Sequence, residues 1–193
     1  MPLVPLDISL FPSDLLTRPA SDAPGTWWVL HTRPRAEKTL AQKLLARGVS
    51  FYLPLHHKEW RSRGRLLTTD VPLFPGYLFL HGDEESRLQA LETNVIVNCL
   101  TVGDQGRLRD DLVRVHRLIE MGAALTPESR LQPGTPVEIV KGPFLGLRGT
   151  VLRCGNKMKF VIEVEFLHQG VSVEVEGWMI QVLDSPKPLD NAG

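Results

Sequence analysis

Near its C-terminus the chain reads Lys141-Gly142-Pro143-Phe144-Leu145-Gly146-Leu147-Arg148-Gly149-Thr150-Val151. Val137 to Val140 leads into this stretch and Val151-Leu152 leads out of it. Glycines at 142, 146 and 149 let the backbone take a tight, positive-φ path between two strands. Further on, Phe160, Ile162, Val164 and Phe166 alternate with Val161, Glu163 and Glu165. Val171, Val173 and Val175 then alternate with Ser172, Glu174 and Glu176. A period of two belongs to strands; a helix would scatter the same apolar positions around its axis. β-Branched residues disfavour helix, and Gly155 and Gly170 would interrupt a helical hairpin. Residues 132–184 therefore predict a constitutive five-stranded, SH3-like β-barrel. Its glycine-rich loop would present Phe144, Leu145, Leu147 and Arg148 to a partner, since exposed apolar side chains on a loop call for cover. The plainer alternative folds Phe144 inward and packs the loop under the barrel.

The preceding part of the chain mixes element types. Trp28-Val29-Leu30-His31 reads as a strand, and Thr32 to Pro34 as a helix start with a capping hydroxyl and a first-turn proline. Ala36, Leu40, Ala41, Leu44 and Leu45 share a helical face, and Gly48 stops it. A strand is expected over Val49 to Leu55, a hairpin over Trp60 to Leu67 around Arg63-Gly64, and a strand over Gly76 to Leu80. A short helix from Glu84 to Leu91, a strand from Val95 to Val102 and a helix from Asp110 to Met121 complete residues 26–122. Without regular βαβ alternation this predicts an α+β layer, an antiparallel sheet with packed helices. Residues 1–25 contain five prolines and no apolar period, and are expected to be a flexible tail. Residues 123–131 read as a linker and 185–193 as a polar tail.

Charge and motif content exclude several classes. The 193 residues carry 22 Lys+Arg and 22 Asp+Glu, so no overall basic field draws the free protein to DNA. Residues 26–122 hold 14 basic against 11 acidic side chains, and 132–184 hold 5 against 6. No apolar run is long enough to span a membrane, and Met1 to Leu10 lacks the basic leader of a signal peptide. Cys99 and Cys154 are too isolated for a metal quartet and read as free thiols of a reducing cytoplasm. No nucleophile elbow or phosphate-binding glycine loop is present, so nothing supports an enzyme, and no cofactor is expected. His56 and His57, adjacent on a strand, would face opposite ways and make a poor metal pair. Asp83-Glu84-Glu85 suits a helix start.

Three surfaces are left as candidates. The first is aromatic: Phe74, Tyr77 and Phe79, with Trp27 and Trp28. Tyr77 and Phe79 share one strand face, which is either a binding patch or core under a second helix. The second is basic: Arg33, Arg35 and Lys38 at the helix start, and Lys58, Arg61, Arg63 and Arg65 in the hairpin. Phosphate contact competes here with a merely solvated hairpin tip. The third is the Phe144–Arg148 loop.

These residues carry a resemblance. Trp27-Trp28-Val29-Leu30-His31-Thr32 and Pro72-Leu73-Phe74-Pro75-Gly76-Tyr77-Leu78-Phe79 resemble the N-terminal domain of the NusG family of transcription elongation factors. Pro133-Gly134-Thr135-Pro136-Val137 and Gly142–Gly149 resemble its KOW domain, as does Val171-Ser172-Val173-Glu174-Val175. The resemblance implies a cytoplasmic, monomeric, non-enzymatic protein. Its first domain would bind the clamp helices of the largest catalytic RNA polymerase subunit through Phe74, Tyr77 and Phe79, flanked by His31 and Val102. There it would suppress pausing or termination. Its KOW domain would recruit Rho or a small-subunit ribosomal protein. Arg33-Pro34-Arg35 resembles the specialised RfaH-like and polysaccharide-operon antiterminators, in which Arg33, Arg35, Lys38, Arg61, Arg63 and Arg65 would contact non-template DNA. Leu147 stands where housekeeping members carry an aromatic residue. A housekeeping NusG, and a KOW-type RNA-binding or ribosome-associated module, remain as alternatives.

Overall fold

A computed structural model describes residues 8–22, 24–62, 64–128, 134–154 and 157–183. The chain divides into two compact units, Met1–Ile119 and Glu120–Gly193.

The first unit is built on a five-stranded antiparallel sheet. Its strands are β1 (Leu10–Phe11), β2 (Thr26–Thr32), β3 (Ser50–Tyr52), β6 (Tyr77–Gly82) and β7 (Ile96–Thr101), in the order β1-β3-β6-β2-β7. Between β3 and β6 the chain leaves the sheet as a separate two-stranded ribbon, β4 (Leu55–Ser62) and β5 (Arg65–Pro72). Three helices join the unit: α1 (Glu37–Ala46), α2 (Glu84–Leu91) and α3 (Gln105–Glu120). Leu30, Phe51, Leu78 and Leu80 on one sheet face form a core with Leu40, Ala41 and Leu44 of α1 and Ala90 of α2. The opposite face carries Val29, Phe79 and Tyr52, which are also buried. Helix α3 serves this second face. Gln105 bridges to the backbone of Trp27, accepting from its N–H at 2.7 Å and donating to its carbonyl at 3.1 Å. His116 meets Tyr52 edge-on at 5.5 Å.

Three local expectations change. Helix α1 starts at Glu37 rather than over Thr32 to Pro34. Thr32 still belongs to β2, its hydroxyl donates to the carbonyl of Arg33, and Arg35 adopts φ 62°, which no helix tolerates. The helix ends as expected: Gly48, at φ 69°, donates to Leu45 and Val49 donates to Leu44, a Schellman closure. The tail expected over residues 1–25 is incorporated into the unit in its described part. Leu10 and Phe11 pair with Tyr52 and Phe51, and Leu15 and Leu16 are buried. Its prolines hid these few apolar contacts, because no period can show in so short a segment. Helix α3 begins earlier than Asp110, where Asp104 accepts the Arg107 N–H at 2.9 Å.

The second unit is made of strands: β8 (Thr126–Glu128), β9 (Thr135–Ile139), β10 (Arg148–Cys154), β11 (Lys157–Val164), β12 (Gln169–Val175) and β13 (Ile180–Val182). They form one antiparallel sheet in the order β13-β9-β10-β11-β12-β8. Val137, Ile139, Phe160, Ile162, Val164, Val171 and Val173 are buried, the inward set of a small β-barrel. Strand β11 ends at Val164, and Phe166 falls in the 3-10 turn that follows, half-buried. The barrel gains a sixth strand from the segment expected to be a linker. Strand β8 pairs with β12, and Glu128 accepts hydrogen bonds from Ser172 at 2.6 Å and Lys159 at 3.0 Å. Gly155 lies outside the described residues. The overall class is thus α+β, a sheet with packed helices followed by a β-rich unit. Among the described residues no helix is long and apolar enough to cross a membrane.

Candidate functional site

The Phe74-Pro75-Gly76-Tyr77 turn is fixed from three sides. Gly76 has φ 86°, its N–H donates to the buried carboxylate of Glu37 at 2.6 Å, and its carbonyl accepts the Thr32 N–H at 2.8 Å. A Cβ at Gly76 would only touch the imidazole of His31, at 3.5 Å, so it is the positive φ that calls for glycine there. His31 and Tyr77 are cross-strand partners, and their rings stack at 5.2 Å with an interplanar angle of 26°. Both remain half-buried. The register of β2 against β7 sets Asn98 beside His31 and Leu100 beside Val29 on the same face, Asn98 exposed and Leu100 half-buried. The result is a small aromatic and polar surface at one end of the sheet.

This surface differs from the expected patch. Phe74 and Phe79 are buried, at 1% and 0% exposure, and meet edge-to-face at 6.1 Å. The reason is α3: with a helix serving the second face as well, the middle of β6 is core on both sides. Val102 does not flank Tyr77 either. Strand β7 runs antiparallel to β2, so Asn98 lies beside His31 while Val102 lies past the strand's far end, about 13 Å along it. There its carbonyl accepts from Gln105 at 2.9 Å. Asn98 and Leu100 could have been found by following the alternation of β7 from its pairing with β2, a pairing not legible before the sheet order was known.

The basic residues fall into two groups. Arg33 and Arg35 are exposed in the turn between β2 and α1, and Lys38 is half-buried in the first turn of α1. Within the ribbon, the register pairs Arg61 with Leu66 and Ser62 with Arg65. Arg61 and Arg65 are both exposed, yet they stand on opposite faces. Leu66 is exposed beside Arg61. Arg63 lies outside the described residues. His57 contacts Asp70 at 2.9 Å on the Arg61 side of the ribbon, whereas His56 faces away. Burial, followed by the charge of Lys58, presses the pKa of His56 below the ordinary histidine value. Among the described residues no group of three or more His, Cys, Asp or Glu could hold a metal. Asp83 caps α2, accepting from the backbone N–H of Ser86 at 2.9 Å, and this bond leads the lowering of its pKa. Cys99 is a half-buried free thiol whose pKa burial pushes up.

The loop of the second unit is a closed turn. Gly142 and Gly146 have φ 91° and 82°; Gly146 donates to Ile139 at 2.8 Å and Ile139 donates to Leu147 at 2.9 Å. Phe144 and Leu147 point inward, at 8% and 1% exposure, so they are core rather than partner-binding tips. Their burial supplies the apolar floor that lets so short a turn hold its shape. Leu145 stays 58% exposed, and Arg148 is exposed with its guanidinium on Glu138 at 2.7 Å. Gly149 is required by packing, because a Cβ there would fall 2.4 Å from the carbonyl oxygen of Val161.

The family model described as transcription termination factor nusG matches residues 25–115. This segment belongs to the NusG family. The NusG-type match takes in β2 through most of α3, and with them the Tyr77–His31 surface, the Arg33–Lys38 turn and the ribbon. No protein of curated function matches the chain by sequence. Among solved structures, one on domain interaction in Thermotoga maritima NusG is 17% identical, covering 83% of this chain and 98% of that one, with a TM-score of 0.49. Conformation A of the MjSpt4:Spt5 complex is 15% identical, covering 83% and 99%, with a TM-score of 0.26. Neither overlap is tight enough to transfer a property to this chain.

Proposed function

We propose that the whole chain is a NusG-type transcription elongation factor that acts by binding rather than catalysis in the cytoplasm. The first unit docks on the clamp helices of RNA polymerase through Tyr77 and His31, with Asn98 and Leu100 beside them. The observation that carries this reading is the stacked, half-exposed Tyr77–His31 pair inside the matched segment, held by a turn too tightly fixed to collapse. Phe74 and Phe79 lie in the core next to that surface, and the Phe74 carbonyl accepts the Tyr77 N–H at 3.1 Å. Docked there, the protein suppresses pausing or termination. The second unit recruits a further protein, Rho or a small-subunit ribosomal protein, and Leu145 is the apolar residue its loop offers.

Arg33, Arg35 and Lys38 extend the docking surface toward non-template DNA. Their exposed Arg-Pro-Arg turn favours a specialised antiterminator over a housekeeping factor. An RNA-binding module is disfavoured by the 5 basic against 6 acidic residues of segment 132–184. The test is binding of the full chain to RNA polymerase core and to a peptide of its clamp helices, paired with transcription through a pause site. Tyr77→Ala should lose polymerase binding and the anti-pausing effect while remaining folded. A folded Tyr77→Ala, His31→Ala double variant that still binds and acts normally would overturn the assignment.

A further inference from the structure

A 3-10 turn, Gly177–Met179, joins β12 to β13. Its middle residue, Trp178, is 60% exposed, whereas Met179 and Val175 beside it are buried. The turn is fixed: the Met179 N–H donates to Glu176 at 2.9 Å, and its carbonyl accepts from Val140 at 2.8 Å. The Met179 methyl group covers Gly142, where a Cβ would come within 2.7 Å of it. The indole is oriented as well, because its Nε1–H donates to the carboxylate of Glu176. A large ring is therefore held outward, at the wall of a groove of about 470 Å³ that Met158 and Val175 also line. Glu174, Glu176, Gly177 and Lys157 complete the lining.

We propose that this groove binds an arginine or lysine side chain of an extended basic peptide from a partner protein. The charge pattern selects that occupant. Lys157 pairs with Glu174 at 2.8 Å. Glu176 is held by an indole N–H, a neutral donor that leaves the negative charge in place. A cation laid on the indole face gains the ring's quadrupole and the Glu176 carboxylate together. A guanidinium adds bidentate geometry and can displace Lys157 from Glu174. A nucleic-acid base could stack on Trp178, but its phosphates would meet the same two carboxylates. The groove is lined separately from the Gly142–Gly146 turn, and the inference does not depend on polymerase docking by the first unit.

The test titrates the full chain with a synthetic arginine-proline dodecapeptide, the same peptide with glutamate for arginine, and single-stranded oligouridylate. Indole N–H resonances and calorimetry are the readouts. The arginine peptide alone should bind, shift the Trp178 indole signal and weaken as salt rises. Trp178→Leu and Glu176→Gln should each weaken it about three- to thirtyfold, the span of one partly desolvated cation–π or charge contact. Trp178→Phe should retain most of the affinity, and Leu88→Ser, at an exposed position of α2, should leave it unchanged. No binding, equal binding of the glutamate peptide, or indifference to both Trp178→Leu and Glu176→Gln would overturn the proposal. Binding of oligouridylate at Trp178 in place of the peptide would overturn it in favour of nucleic acid.

Discussion

Phe74 and Phe144 each open a glycine-containing turn, one in each unit, and both rings point inward. What reaches solvent differs. Behind Phe74 the turn delivers Tyr77, stacked on His31 and clasped through Gly76 to Glu37. Behind Phe144 it delivers Leu145, an aliphatic side chain at 58% exposure. In both turns the motif's phenylalanine is the foundation and a neighbour is the surface. The first surface is a rigid, amphipathic aromatic pair, suited to carrying interface energy. The second is a single apolar knob with far less to offer.

The largest expected effect comes from removing the foundation of the first turn. Phe74→Ala should destabilise the first unit by roughly 3–5 kcal/mol, the usual cost of truncating a buried phenylalanine. Phe144→Ala should cost clearly less in denaturant unfolding of the full chain, since its ring retains some exposure and its turn can partly close. Equal losses would break the comparison. Next, Gly149→Ala should destabilise the second unit by about 1–3 kcal/mol through overpacking against Val161 and Phe160. At Gly146 a Cβ meets nothing within 4 Å, so Gly146→Ala tests its φ of 82° alone. A larger loss at Gly146 than at Gly149 would shift the explanation from packing to backbone strain.

Third, Tyr77→Ala should cost about 2 kcal/mol or more in polymerase binding while the chromatographic and circular dichroism signatures of the fold persist. Acid should then separate the units. Burial, then the charges of Arg18 and Arg109, keep the pKa of His81 below the ordinary 6.5. The unfolded chain takes up a proton that the folded unit resists, so the contribution of neutral His81 is fully present above about pH 6.5 and is lost as the pH falls below it. Glu128 works in a lower window. The Ser172 hydroxyl, then Lys159, depress its pKa below 4.5, so its contribution is present above that pH and is lost as acid protonates it. Unfolding followed separately in each unit should show the first responding earlier, and His81→Gln should reduce that early slope, leaving the part that His56 contributes. The smallest effect belongs to Leu145→Ser, within about 0.5 kcal/mol of wild-type stability.

Legibility in the sequence followed the range of the forces involved. Helix α2 could be read to its ends, because Asp83 and Ser86 form its cap within three residues. The alternation at Phe160–Val164 and Val171–Val175 fixed the β character of the second unit. Both depend on near neighbours. The Phe74 and Phe79 positions could not be settled this way, because their burial depends on α3, supplied from residues 105–120. The same holds for β8, whose place in the barrel depends on Ser172 and Lys159. Trp178 gave no signal at all: a lone tryptophan in a 3-10 turn has no period, and only the groove beside it gives the ring a meaning.

The ribbon of β4 and β5 has mechanical consequences. Its eight paired positions run from Leu55↔Pro72 at the root to Ser62↔Arg65 at the tip. A strand of that length reaches about 23 Å, so a root tilt of about 5° sweeps the tip through about 2 Å. Two strands alone are marginally stable in water, which leaves such a lever compliant. Arg61 and Arg65 are carried near its tip, exposed on its two opposite faces. Tyr77, by contrast, is paired with His31 inside the five-stranded sheet, so one unit joins a stiff sheet to a compliant ribbon.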